Sequence, residues 1–347
     1  MTDPSVLEAA PSVTAAAPVL WPSLGPVLLW PCGCVVALSC ALLSMPFGCT
    51  SGGTGVDPGA AAPPPNGPSA ERDAWHAARL RTLAAEEGWL TLVGLDFLSD
   101  GTFRLGSGPV CEFRYAGASS PHVGDFVVER SAVRFRARSP GVTLDGTPLA
   151  PQDDADAGTP LVADDAGTPS TLRDGTLAIT LVRRNGSLAL RVRDRASPIR
   201  TGFTGIALFP YDGSLVVAAE VLPARKGESV AIANVTGFVE ETPVAARLRF
   251  TLGGAMREFI ATEGANGRLF VVFGDATNGA ESYGGGRFLD IPAPVAGKTA
   301  IDFNRATNPP CAFTAFATCP TPPAGNRLPI SIRAGERRPD KHAADRP

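Results

Sequence analysis

Hydrophobic positions along this chain recur mostly with a period of two. Val133-Arg134-Phe135-Arg136-Ala137-Arg138 alternates strictly, which predicts a half-buried strand with one wet face. Residues 176–183 and 187–193 flank Arg184-Asn185-Gly186, and an Asn-Gly pair between two apolar runs predicts a hairpin. Residues 89–98 are apolar and β-rich and turn at Ser99-Asp100-Gly101 into 102–105; a further strand is predicted over 126–129. A second series is predicted over 215–222, 229–234, 245–252, 257–262, 268–273, 287–291, 299–303 and 328–333. Helical spacing occurs once, in the stripe Trp75, Ala78, Leu80, Leu83 and Ala84. Ser69 is placed to cap that helix, Glu71 and Asp73 fall in its first turn, and Gly88 ends it. The expected fold is mainly β: one N-terminal helix followed by two β modules. The helix and a sandwich occupy 70–197, and a barrel- or roll-like sheet occupies 198–338.

No charged residue occurs from 9 to 56, and 27–47 is almost continuously apolar, near the length that spans a bilayer. Gly48-Cys49 and a Gly/Ser/Pro-rich stretch to Ser69 follow. This order resembles a bacterial lipoprotein signal. The resemblance implies removal of 1–48, lipidation of Cys49, and a flexible tether over 49–69. The folded part would then sit at the cell envelope, membrane-anchored and outside the cytoplasm. Three features depart from the pattern: no Lys or Arg precedes the run, Pro46-Phe47 precedes Gly48, and Cys40 is a rival. An uncleaved membrane anchor and a misplaced start stay open as alternatives. Residues 339–347 read as a disordered tail.

Composition narrows the picture. The chain has 347 residues with 38 Gly and 33 Pro, too many for a helical bundle or coiled coil. Its net charge of −3 comes from Asp3, Glu8 and Asp57, so the chain is balanced from Glu71 onward. A balanced body with no basic run beyond the alternating arginines at 134–138 and Arg337-Arg338 argues against nucleic acid as a partner. Gly284-Gly285-Gly286 lacks the following helix that a phosphate loop needs. The acidic segment 151–168 does not match an EF-hand spacing, and His76, His122 and His342 show no ligand spacing. No metal or cofactor is expected. Cys311 and Cys319 close a short, turn-rich loop and are the expected disulfide, leaving Cys111 alone.

The candidate chemistry lies toward the C-terminal end. Arg287, Arg305 and Arg327 offer guanidinium forks that suit a carboxylate or phosphate. Tyr283 would wall the site, with Asp302, Asn304 and Asn308 as short polar groups around it. The expectation is a small polar or anionic ligand bound in the second module. One alternative is a hydrolase-type enzyme with Asp302 or Glu263 as general base, although no GxSxG or HExxH motif is present. Another is an envelope scaffold that binds proteins through the first module. A third is purely structural: Asp302, Asn304 and Arg305 would form a buried salt-bridge and turn network.

Two resemblances follow from motifs. Gly106-Ser107, Ser119-Ser120-Pro121-His122 and Asp145-Gly146 form a sparse pattern that resembles the forkhead-associated β-sandwich. Such domains bind phosphothreonine through loop side chains. The loop Arg and Asn of that pattern are replaced here, which implies a shared scaffold without phosphopeptide binding. The second resemblance is longer. Tyr283-Gly-Gly-Gly-Arg287-Phe288-Leu289, Asp302-Phe303-Asn304-Arg305, Asn308-Pro309-Pro310-Cys311, Cys319-Pro320, Asn326-Arg327-Leu328-Pro329 and Gly335-Glu336 are similar to domain-of-unknown-function family 1684. With Gly88-Trp89-Leu90 and Phe203-Thr204-Gly205 upstream, the likeness covers about 71–338. Thr307, Ala315 and Thr321 depart from it. This resemblance implies no established activity.

Overall fold

The computed structural model describes residues 67–339. The apolar leader, Cys49, the tether and most of the expected tail lie outside the described residues.

The described chain is mainly β, with one long helix. Helix α1 (Gly67–Leu83) starts two residues before Ser69, so Ser69 lies inside the helix and does not cap it. Gly88 follows the helix where a Cβ would stand 2.2 Å from the Leu83 carbonyl oxygen, so only glycine fits that return. The predicted strand over 89–98 opens as a 3-10 turn at Trp89–Thr91.

The first module holds β1 (Leu92–Phe97), β2 (Gly101–Gly106), β3 (Phe113–Arg114), β4 (Gly124–Glu129), β5 (Ala132–Ala137), β6 (Thr143–Leu144), β7 (Thr147–Pro148), β8 (Thr159–Pro160), β9 (Thr171–Asp174), β10 (Leu177–Arg184) and β11 (Ser187–Asp194). They form two sheets, ordered β1-β11-β10-β9-β6-β7 and β3-β2-β4-β5-β8. Phe126, Val133 and Phe135 from one sheet meet Leu172, Ile179, Leu190 and Val192 from the other in a single core, so the module is a sandwich. The alternation at 133–138 holds as read: Val133, Phe135 and Ala137 are buried, and Arg134 and Arg136 face away.

Helix α2 (Pro198–Thr201) leads into the second module. Its strands are β12 (Val216–Pro223), β13 (Ser229–Ala233), β14 (Val239–Pro243), β15 (Ala246–Leu252), β16 (Ala255–Glu263), β17 (Leu269–Phe273), β18 (Arg287–Ile291) and β19 (Lys298–Asp302). Six of them form one sheet, β18-β17-β16-β15-β12-β19, and β13-β14 is a separate hairpin. The six-stranded sheet curls until its edge strands β18 and β19 approach, giving a half-barrel around Phe250, Phe259, Phe273 and Phe303. The strand expected over 328–333 does not form. Its backbone bonds instead to the Gly274–Ala276 backbone and, at Ile332, to a buried ion pair described below.

The partners of α1 lie in the second module. Leu80, Leu83 and Ala84 pack with Ile206, Ala312 and Phe313. Arg79 pairs with the buried Glu336 at 3.3 Å, and Glu71 pairs with Arg305 at 2.6 Å. Arg72 donates to the Phe209 carbonyl, and the Arg337 guanidinium lies 5.4 Å from the centre of the Phe209 ring. Contacts also join the modules directly. Asn234 donates to the Asn185 amide oxygen at 2.9 Å, and the Thr314 hydroxyl donates to the Leu92 carbonyl at 3.0 Å.

Candidate functional site

The residues singled out near the C-terminal end fall into five separate arrangements. Arg287 opens β18 and is fully buried. Its Nη2 lies 2.6 Å from Asp275 Oδ2, and Asp275 is equally hidden from solvent. Arg287 also donates to the carbonyls of Ile332 and Ala334, and its guanidinium stands 5.1 Å from the Phe273 ring centre. Asp275 Oδ1 accepts from Thr277 and from the Ile332 N–H. These bonds occupy both backbone groups of Ile332, within the segment expected as a strand over 328–333. Every charge in the arrangement is matched internally, so no anion is required there.

Asp302 caps the turn Phe303–Arg305 through Asn304 N–H, and its other oxygen lies 3.4 Å from Arg305 Nε. Asn304 is buried and holds the Asp212 backbone by both its N–H and C=O. Arg305 points to Glu71. Asn308 is buried; its N–H donates to Glu336 Oε2 at 2.6 Å and its amide donates to the Arg337 carbonyl. Arg327 is exposed beside Gly274. Arg287, Arg305 and Arg327 therefore do not share one anion position.

Tyr283, Cys311 and Cys319 are brought together. Burial pushes the Tyr283 hydroxyl up to about 12, helped by the two neighbouring cysteines. Cys311 and Cys319 are free thiols here. Each Sγ accepts the backbone N–H of the other at 3.2 Å.

The carboxyls proposed as general bases sit differently. Asp302 is engaged as above, and Glu263 is exposed at the end of β16. The carboxyl that burial pushes up is Asp96 in the first module, where Tyr115 donates to it.

The forkhead-like motif residues are also occupied. Ser119 holds Asp174, Ser120 caps His122, and the His122 ring lies 2.7 Å from Asp125. Asp145-Gly146 forms a turn with both φ angles positive. A depression of about 540 Å³ opens beside His122. Its charges are paired as Arg104–Glu112 and as Asp125–Arg138–Asp154.

Two further cations without an ion-pair partner lie on β11. Leu188, Leu190 and Val192 enter the sandwich core, so Arg191 and Arg193 project from the opposite face. The Arg191 guanidinium lies 5.8 Å from the Trp89 ring centre. Trp89 in turn packs against the two apolar clusters that include Tyr283 and Cys319. Neither arginine has a carboxylate within salt-bridge distance, and the Nε of each is buried without a partner. Burial pushes Arg191 down to about 9, with the Arg184 and Arg193 charges adding to the effect. Burial also lowers Arg193. The sequence signal was the pair of arginines two apart in a predicted strand, Arg191-Val192-Arg193.

Residues 201–337 match the profile of a family described as "Protein of unknown function (DUF1684)". The second module carries this domain. The DUF1684 match takes in Tyr283, the buried Arg287–Asp275 pair, Asn304, Asn308 and both cysteines. Gly88-Trp89-Leu90 and β11 lie outside it. The chain is also similar to an uncharacterized protein of Haloarcula marismortui solved by solution NMR. The two are 32% identical over 41% of this chain and 81% of that one, with a TM-score of 0.35. No curated protein matches the chain.

Proposed function

We propose that this protein binds a small anionic ligand, a carboxylate or phosphate, where β11 of the sandwich meets Trp89. The observation that carries this reading is the Arg191/Arg193 pair. Two guanidiniums two residues apart on one strand face are partly withdrawn from water with no carboxylate in salt-bridge contact, Asp164 and Glu87 acting only from a distance. Such an arrangement is costly alone and is relieved by an incoming anion. Planar forks match carboxylate or phosphate oxygens bidentately, and Trp89 supplies a flat wall under one of them. The site differs from the converging arginines expected in the second module, because Arg287 and Arg305 have carboxylate partners of their own and Arg327 stands apart from both.

Thermal-shift and calorimetric titrations with inorganic phosphate and with a dicarboxylate test the reading. Binding is expected, and Arg191→Gln is expected to weaken it at least tenfold, about 1.4 kcal/mol. Arg305→Gln, which alters only the contacts to Glu71 and Asp302, is expected to leave it unchanged. Absence of binding by either probe, or an unaffected Arg191→Gln, overturns the proposal.

We further propose that the chain is held at the cell envelope through Cys49. The support is the charge-free apolar run followed by Gly48-Cys49. Mass spectrometry of the mature N-terminus checks it, and an intact peptide across 45–50 would count against it.

A further inference from the structure

We propose that Cys311 and Cys319 are a redox-active dithiol, a modification site where the two sulfurs join while an incoming disulfide is reduced. The reading is independent of the anion site and rests on how the backbone presents the two thiols.

The two cysteines are eight residues apart, and their amides and sulfurs are cross-paired, each N–H pointing at the other Sγ. That reciprocity places the two sulfurs side by side without asking the loop to rearrange. Both ends of the loop are fixed. Pro309-Pro310 opens a 3-10 turn before it, and the Ala312 N–H donates to the Pro309 carbonyl. At the far end the Cys319 carbonyl accepts from Val235 N–H, and Thr321 N–H donates to Ala233 across the β13-β14 hairpin. The close thiol pair is therefore held by the fold and not by a bond between the sulfurs.

The partners are unequal, as a dithiol that reacts in sequence requires. Cys311 is half-buried and Cys319 is buried. The neighbouring Cys319 thiol and backbone hold Cys311 below an ordinary thiol, while burial pushes Cys319 up. Cys311 is the sulfur that ionises and is reached first. Cys111, by contrast, is buried alone in the sandwich and donates to the Pro121 carbonyl.

The chemistry balances with a low-molecular-weight disulfide as oxidant. Cys311 gives its proton to water and attacks one sulfur of the disulfide, forming a mixed disulfide and expelling one thiolate. Cys319 then loses its proton and attacks Cys311 Sγ, forming the internal bond and expelling the second thiolate. Two protein thiols are oxidised, and one disulfide is reduced to two thiols.

The experiment exposes the full chain to oxidised glutathione, blocks remaining thiols, and maps peptides. A cross-linked 311–319 peptide is expected, with Cys111 still free after unfolding. Cys319→Ser is expected to lose the cross-link and retain glutathione on Cys311. Cys311→Ser is expected to gain no adduct at Cys319 while folded, with circular dichroism confirming the fold. A Cys311 that stays unmodified in the native chain overturns the proposal. So does a glutathione adduct that persists there with Cys319 present, or adducts that favour Cys319.

Discussion

Arg287 and Asp275 face each other at 2.6 Å inside the half-barrel, and neither side chain reaches water. The pair ties β18 to the loop after β17 and to the backbone of Ile332 and Ala334. Asp275→Asn leaves a buried cation facing carbonyls alone. The expected loss is about 3–5 kcal/mol, read from urea unfolding. Anion binding is expected to survive in whatever fraction stays folded, because Arg287 does not contribute to it.

Asn326 performs a comparable task with no charge. Its amide oxygen accepts from Ile260 N–H, and its nitrogen donates to the carbonyls of Ile260 and Val272. Asn326→Ala orphans three backbone groups, each costing about 1–3 kcal/mol. Hydrogen exchange at Ile260 is expected to accelerate sharply, which a neutral substitution would not cause.

The three consecutive glycines at 284–286 separate by physical demand. Gly286 has φ +92°, and a Cβ there would stand 2.4 Å from Pro322 Cγ and 2.8 Å from the Phe273 carbonyl. At Gly284 the nearest atom is 3.7 Å away. Gly286→Ala is expected to cost about 1–3 kcal/mol and Gly284→Ala less than about 0.5 kcal/mol. Equal melting temperatures for the two variants would contradict this.

His76 links stability to pH. Burial lowers its pKa, with Arg72 and Arg79 acting in the same direction and Glu336 and Asp73 opposing. Its Nε2 is buried without a partner. The folded state thus binds a proton less readily than the unfolded chain. The neutral ring is accommodated above about pH 6.5, and stability falls as pH drops below that value. His76→Gln is expected to flatten the melting-temperature profile between about pH 7 and 5; an unchanged slope would assign the pH response elsewhere.

Alternation made most strands readable, and the exceptions have identifiable causes. β14 carries Glu240, Glu241 and Thr242 in a hairpin exposed on both faces, so no apolar period marks it. Residues 328–333 have the composition of a strand, but Arg287 and Asp275 claim the carbonyl and N–H of Ile332, and Leu328 and Ile330 bond to the Gly274–Ala276 backbone. The same ion pair explains why the site was misread. An arginine in sequence shows its charge but not its counter-ion, and Asp275, twelve residues before Arg287, carries no local sign of the pairing. Arg191 and Arg193 carry no local sign of a site, because the ring that covers Arg191, Trp89, is about a hundred residues away in sequence. The family profile likewise stops short of them.

Helix α1 and the last described strand-like bridge converge on one residue. Arg72 reaches Phe209 from one end of the body and Arg337 from the other. The body is in effect a ring left open at a single point. A short linker there, with new ends cut at the exposed Gly253-Gly254 turn, should give a circular permutant that folds to the same core. In the natural order, by contrast, Glu336 must be in place before Arg79 finds its partner, 257 residues away. A chain cut short before Glu336 would lose that clasp and hold α1 by its apolar face and the Glu71–Arg305 pair.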